Sequence, residues 1–172
     1  MLEVEVLVSC GDEVAALRDI GNSVLQSLQH MLLYKMGVQI VIRSWDFRLE
    51  PPTVVQVGGL AGLSLSVVER SHAVIAILGK QLPPVTGKEI RKAFTRRRAG
   101  ERVDVYVFIN PALKTGEHDD FLKNIEKDFG ETVVYTSYSD ALEFQKKLFM
   151  TLTPFLLKRI GEAGIPLLGG WP

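Results

Sequence analysis

Cysteine is scarce in this chain. Cys10 is the only one among 172 residues, so no internal disulfide can form. With three histidines, the chain has no Cys/His cluster at the spacing of zinc ligands, and we expect no metal site. No apolar run approaches the roughly 20 residues of a membrane span, and residues 1–8 lack the features of a signal peptide. These absences predict a soluble, cytoplasmic protein that does not contact a membrane.

An excess of positive charge is also missing, because 20 Lys and Arg balance 20 Asp and Glu. A nucleic-acid surface usually needs a basic excess, so nucleic acid is not an expected partner. One basic cluster stands out late in the chain, and it is interpreted as a solvated face with acidic partners, the alternative being a protein or nucleic-acid contact. Its members are Arg91, Lys92, Arg96, Arg97, Arg98 and Arg102.

Short apolar runs alternate with segments of helical periodicity along the chain. Strands are predicted at residues 4–8, 38–42, 72–78, 103–109 and 132–135, and helices at 12–36, 60–70, 87–99, 118–129 and 139–160. This alternation predicts an α/β domain over residues 1–160, with three layers and a five-stranded parallel sheet of flavodoxin-like order 2-1-3-4-5. Residues 161–172 are rich in Gly and Pro and predict a tail or linker.

Glu89 is the most informative residue. It follows the apolar run of residues 72–78 and a loop with two prolines, and we expect it in the first turn of a helix. In an open α/β sheet that position lies in the crevice beyond the carboxyl ends of the strands, where such folds bind ligands. A carboxylate there can stabilise or attack a ribose ring. The alternative is a residue that only caps the helix and complements its dipole.

Further candidates follow the first two strands. Ser9, Cys10, Gly11 and Asp12 come after strand one, where small residues and a helix start can hold phosphate oxygens, although a plain turn with Asp12 as helix cap is the alternative. Trp45 is predicted to stack on a base or nicotinamide ring, and Arg48 to meet a phosphate. Cys10 is not expected to be a nucleophile, and no histidine forms a catalytic pattern.

These segments resemble TIR (Toll/interleukin-1 receptor) domains over about residues 3–160. Val8-Ser9 is similar to the end of their first strand, and residues 65–79 resemble their helix–strand unit. The stretch Thr86-Gly-Lys-Glu89-Ile90 resembles the segment that carries the catalytic glutamate of NAD-cleaving members. Trp45-Asp46 resembles a Trp-acidic pair of the bacterial TIR-like group found at the N-termini of multidomain defence and signalling proteins.

The resemblance implies an NAD⁺ glycohydrolase in which Glu89 is catalytic and Thr86 lies in the binding segment. NAD⁺ is then the substrate, and no cofactor is required. It also implies a homo-oligomer on activation and a C-terminal sensor domain in a longer protein. Two alternatives stay open. Many TIR domains act only by assembling with one another. Nucleoside deoxyribosyltransferases resemble the same segment and also break an N-glycosidic bond.

Overall fold

The fold is an α/β sandwich around a parallel sheet, and the computed structural model describes residues 2–36, 38–44 and 65–165, with side chains for 2–32 and 65–165. The strands are β1 (Leu2–Cys10), β2 (Val38–Ser44), β3 (Ala73–Leu78), β4 (Asp104–Ile109) and β5 (Tyr135–Ser137). The helices are α1 (Ala15–Met36), α2 (residues 65–68 of the described chain), α3 (Pro84–Arg98), α4 (Gly116–Phe129) and α5 (Ala141–Glu162). A short 3₁₀ turn, Asp12–Val14, precedes α1.

The five described strands pair in the order β2-β1-β3-β4-β5, and every pairing is parallel. The α/β class and the parallel sheet predicted from the sequence are confirmed. Val8 of β1 pairs with Ser44 of β2 on one side and with Ile75 of β3 on the other. This register brings the carboxyl ends of β1 and β3 side by side.

Both faces of the sheet are covered, which explains why its central strand is apolar throughout. All six residues of β3 are fully buried. Its alternate residues Ala73, Ile75 and Ile77 pack into one core with α1 and α5. Ala76 and Leu78 face the opposite side, against α3 and α4. Each buried Val or Ile stabilises the fold by about 1.5–3 kcal/mol, so the strand is a rigid support for whatever follows it.

Some predicted boundaries were wrong. The last strand begins at Tyr135 because it pairs only with Val107 to Ile109 of β4, and Val134, predicted as strand, is 82% exposed. The last helix runs two residues further than predicted, to Glu162, so the tail begins later than residue 161. Residues 45–64, which include the start of the predicted helix 60–70, lie outside the described residues, as does the tail from residue 166.

The basic cluster is paired with acidic groups, as predicted for a solvated face. Arg91 contacts Asp128 at 2.6 Å and Arg97 contacts Glu131 at 2.8 Å. The other partners are Glu69 for Lys92, Glu101 for Arg96, Glu162 for Arg102 and the backbone oxygen of Asp128 for Arg98. Within the described ranges, no helix has the length and apolarity needed to cross a bilayer, and no cluster of His, Cys, Asp and Glu has metal-binding geometry.

Candidate functional site

A cavity of about 500 Å³ opens at the carboxyl ends of β1 and β3. In the sheet, β1 lies between β2 and β3, so the strand order reverses at β1. The cavity therefore lies at the point where the strand order reverses. Open α/β sheets bind ligands at such points, and the volume is within the usual range for small-molecule sites. Six predicted site residues line the cavity: Ser9, Cys10, Gly11, Asp12, Thr86 and Glu89.

Helix α3 begins earlier than its sequence pattern suggested. Pro84 is its first residue, because proline needs no hydrogen-bond partner there and its fixed φ suits a helix. Glu89 is therefore the sixth residue, in the second turn, and not in the first turn as predicted. Pro83 occupies the cap position, and its carbonyl oxygen accepts from the Gly87 N–H at 3.0 Å. Glu89 makes no capping contact, which removes the capping interpretation of this residue.

The Glu89 side chain is buried at the cavity wall, with 4% of its surface exposed. Its Oε2 accepts a hydrogen bond from Ser9 Oγ, and Ser9 Oγ lies 3.0 Å from Thr86 Oγ1. A hydroxyl carries one proton, so when Ser9 donates to Glu89 it can only accept from Thr86. Thr86, Ser9 and Glu89 thus form a short chain of hydrogen bonds that fixes the carboxylate against the end of β1.

Burial raises the pKa of Glu89 from 4.5 to about 7, and the hydrogen bond from Ser9 opposes this rise. Among the described residues, no cation contributes to the shift. Glu89 is therefore close to half-ionised at neutral pH. Perturbed carboxyl groups of this kind in a cleft are characteristic of functional sites, because their charged form is poorly solvated and available to a ligand.

The remaining predicted residues of the first loop have distinct environments. Cys10 is half-buried, and burial raises the pKa of its thiol to about 11, so it stays protonated and is a poor nucleophile. Asp12 is exposed and does not cap the helix, contrary to the alternative interpretation, because Gly11 occupies the cap position of the 3₁₀ turn. Ser9 and Cys10 belong to the end of β1 and not to a loop.

The rim of the cavity is held by contacts between its two loops. Glu13 accepts a hydrogen bond from the Gln81 N–H at 2.8 Å, which ties the segment after β3 to the segment after β1. Gly11 packs directly on Pro83, since a Cβ at Gly11 would lie 2.7 Å from Pro83 Cγ. A cavity framed in this way is preformed, so a ligand does not have to order the rim on binding.

Arg18 also lines the cavity, and the sequence interpretation missed it. Its side chain is buried, with the residue 4% exposed, on the first turn of α1. A signal was available, because Arg18 and Leu25 follow helical spacing along the apolar face of α1. A buried arginine on such a face is rare and points to a function or a specific partner.

Two predicted binding residues, Trp45 and Arg48, lie outside the described residues.

Each of the three histidines lies away from the cavity. His72 Nδ1 accepts from the Glu5 N–H at 3.0 Å, and His118 closes a capping box with Thr115 at the start of α4. His30 lies on the exposed side of α1. None of the three lines the cavity, in keeping with the prediction that no histidine is catalytic.

No protein-family model matches the chain, and no curated protein matches its sequence. Solved structures do match. The RPS4 and RRS1 TIR domain heterodimer aligns at 12% identity and a TM-score of 0.50, covering 91% of this chain and 97% of that one. A flavodoxin-like domain from Synechococcus aligns at 14% identity and a TM-score of 0.46, covering 87% and 99%.

Homoserine dehydrogenase of S. aureus aligns at 10% identity and a TM-score of 0.49, covering 80% of this chain. The chain spans only 34% of that enzyme's length. At these identities the likeness concerns the fold alone. The TIR match, which extends over nearly all of both chains, supports a TIR-like fold for this protein.

Proposed function

We propose that this chain is a TIR-type module that hydrolyses the N-glycosidic bond between nicotinamide and ribose in NAD⁺. The observation that carries the proposal is the buried carboxylate of Glu89, held by Ser9 in a cavity at the carboxyl ends of β1 and β3. A carboxylate in such a place can stabilise the positive charge that develops on ribose as the bond breaks.

The reaction needs only NAD⁺ and water. The bond between ribose C1′ and the pyridinium nitrogen breaks, and its electron pair goes to nitrogen, which leaves as neutral nicotinamide. The ribose becomes an oxocarbenium-like cation next to the Glu89 carboxylate, which either stabilises it or traps it as an ester. Water then adds at C1′, and where the ester has formed it breaks the bond from C1′ to the carboxylate oxygen and releases free Glu89. The water loses a proton, which the carboxylate or solvent accepts, and ADP-ribose results. The pyridinium is a good leaving group, so no strong general acid is required.

Ser9 and Thr86 position Glu89 for this step. The hydrogen bond from Ser9 restrains one carboxylate oxygen and leaves the other lone pairs of the group for the sugar. It also lowers the pKa that burial raises, which keeps part of the protein in the charged, competent form at neutral pH. Gly11 and Asp12 frame the mouth of the same cavity. Trp45 and Arg48 keep their proposed stacking and phosphate-binding roles.

The experiment is a mass-spectrometric screen of the purified protein against NAD⁺ and a panel of nucleosides, with Glu89→Gln and Glu143→Gln compared with the wild type. Glu143 is a matched control, since it is also a glutamate near a helix start but is hydrogen-bonded to Ser139 outside the cavity. We expect nicotinamide release to fall at least about 100-fold in Glu89→Gln, as for loss of a charge that stabilises the transition state. Nicotinamide release by Glu143→Gln is expected to stay within about twofold of the wild-type rate, because this substitution does not affect the transition state.

A folded Glu89→Gln protein that cleaves NAD⁺ at the wild-type rate would refute the assignment. Exchange of a deoxyribosyl group between bases, with NAD⁺ left intact, would identify a deoxyribosyltransferase instead.

A second candidate function is self-association without catalysis. A groove of about 570 Å³ between α1 and α5 exposes apolar side chains, among them Leu142, Phe149 and Met150, which are 60%, 41% and 72% exposed. Exposed apolar patches of this kind mark interaction sites. The solved TIR match is a heterodimer, which supports association as a candidate function for this chain.

Incubation with NAD⁺ at high protein concentration, with and without a crowding agent, separates the two candidates. Assembly without nicotinamide release under either condition would favour the interaction module. Release that appears only on assembly would join both functions, with a homo-oligomer as the active form.

A further inference from the structure

The cavity is lined by buried charged groups of both signs. Of the described residues that line it, four are charged: Asp12, Glu13, Arg18 and Glu89. Asp12 and Glu13 are exposed at the rim, and Glu13 is engaged with the Gln81 N–H. Arg18 and Glu89 are buried, each 4% exposed. Among the described residues, the buried charged groups that line the cavity are therefore a guanidinium from α1 and a carboxyl from α3.

These two groups have opposite effects at the end of β1. The charge of Arg18 lowers the pKa of the Cys10 thiol against the larger effect of burial, whereas the charges of Asp12, Asp19 and Glu89 raise it. Arg18 therefore supplies positive charge where the cavity meets the end of β1, and Glu89 is held there by its hydrogen bond from Ser9.

We propose that Arg18 is an anion-recognising residue of this cavity and makes it select a ribosyl ligand that carries a phosphate over the same ligand without one. The proposal deepens the proposed function and rests on it for the identity of the ribosyl group. A guanidinium presents five N–H donors in a planar fork, so it can bind two phosphate oxygens while keeping contacts with the protein. A substrate that carries both a phosphate and a cationic pyridinium then fits a cavity lined by buried groups of both signs.

Burial makes this recognition effective. An exposed arginine would be screened by salt and would discriminate weakly, whereas a buried one meets the phosphate with little competing solvent. The close packing of Gly11 on Pro83 also fixes the position of the rim beside Arg18 and Glu89. The site class is therefore a nucleotide, and a free nucleoside is a poor ligand.

The test measures binding of nicotinamide mononucleotide and nicotinamide riboside, which differ by one phosphate. Calorimetry on the Glu89→Gln protein avoids turnover, and Arg18→Gln and Arg18→Lys are added to that background. We expect the mononucleotide to bind about 10- to 100-fold more tightly than the riboside, which is the usual worth of charge-assisted hydrogen bonds. Arg18→Gln is expected to remove this preference without changing the affinity for the riboside, and Arg18→Lys to keep part of it.

Arg102→Gln is the matched control, since the Arg102 side chain is 75% exposed beside Glu162 and outside the cavity. In the Glu89→Gln background, Arg102→Gln should leave the preference for the mononucleotide over the riboside unchanged. Equal affinities for the two ligands in the protein that keeps Arg18 would overturn the inference, even if the Arg18 variants do not fold. Equal losses for both ligands in Arg18→Gln would also overturn it, and would assign Arg18 a purely structural role.

The outcome is separable from that of the proposed hydrolysis. A wild-type protein that leaves NAD⁺ intact, yet prefers the mononucleotide through Arg18, sustains the inference while the hydrolysis fails. A wild-type protein that cleaves NAD⁺, while the mononucleotide and riboside bind equally, overturns the inference alone.

Discussion

Two glutamates near helix starts, Glu89 in α3 and Glu143 in α5, differ in almost everything except their chemistry. Glu143 is the third residue of its helix and accepts from the Ser139 N–H at 2.7 Å and from Ser139 Oγ at 2.6 Å. Lys147 lies 2.7 Å away, and these contacts lower the pKa of Glu143 to about 2. Glu89 is in the second turn, is buried, and has its pKa raised to about 7.

The difference shows what a helix start does and does not determine. At Glu143 the local backbone and side chains satisfy the charge, so the residue stabilises its own helix and has nothing left to offer a ligand. At Glu89 the helix begins with two prolines and makes no use of the carboxylate, which stays poorly solvated at a cavity wall. The candidate functional carboxylate is distinguished here by its burial at a cavity wall and its raised pKa, and proximity to a helix start is not enough.

The largest expected effect that separates the two glutamates is the pH dependence of NAD⁺ cleavage. In the proposed reaction the charged form of Glu89 is the competent one, and burial raises the pKa of Glu89 to about 7. The rate should therefore rise about tenfold per pH unit below that value and level off above it. Nicotinamide release measured from pH 5 to 9 checks this, with Glu143→Gln as the matched control whose profile stays the same. A rate that is flat across this range would contradict the assignment of the charged form.

The second largest expected effect is on the free energy of unfolding. The folded protein keeps the proton of Glu89 up to about pH 7, whereas the unfolded chain releases it near 4.5. The folded state thus binds more protons in this window, so its free energy of unfolding falls as pH rises, by up to about 3 kcal/mol. Glu89→Gln removes this loss, so its stability relative to wild type should increase from pH 5 to pH 8.

Urea unfolding of the wild type and of Glu89→Gln at pH 5 and pH 8 gives the difference in their free energies of unfolding at each pH. The contributions of the other titrating groups largely cancel in this difference. Glu143→Gln should show no such gain, because the pKa of Glu143 is lowered and its charged form is favoured by folding above about pH 4. A relative stability of Glu89→Gln that is the same at both pH values would mean that Glu89 is as solvated as an ordinary glutamate.

The smallest expected effect concerns the α5 cap. Asp140 accepts from the Glu143 N–H at 2.9 Å and is the helix cap. Asp140→Ala should lower the free energy of unfolding by about 1 kcal/mol, the usual cost of losing a cap. NAD⁺ cleavage at pH 8 should stay within about twofold of wild type, because α5 contributes no residue to the cavity, and catalysis follows the site residues alone. Urea unfolding and nicotinamide release on the same sample test both parts. Loss of cleavage in a stable Asp140→Ala protein would place part of the site on α5.

Much of the fold followed from the sequence, for definite reasons. The run of residues 73–78 is apolar because both faces of β3 are covered, and helical periodicity located α1, α4 and α5. The neighbourhood of Ser9 and Glu89 could also be predicted, because carboxyl ends of parallel strands share one edge. The roles assigned to these residues stay predictions until they are tested.

Other features depend on details that a pattern does not contain. The early start of α3 follows from Pro83 and Pro84, whose sequence is equally typical of a loop. Arg18 was missed because charged residues on a helix are usually solvated, and only its burial in the folded chain makes it part of the cavity. The pKa of Glu89 depends on how deeply it is buried, which no local sequence pattern reports.

The fit between the two rim loops has an evolutionary consequence. Gly11 has no space for a larger residue, because a Cβ there would lie 2.7 Å from Cγ of the rigid Pro83 ring. A larger residue at position 11 is therefore tolerated only when position 83 changes with it. Related chains should vary at positions 11 and 83 together, and paired substitutions there would record selection acting on the shape of the opening.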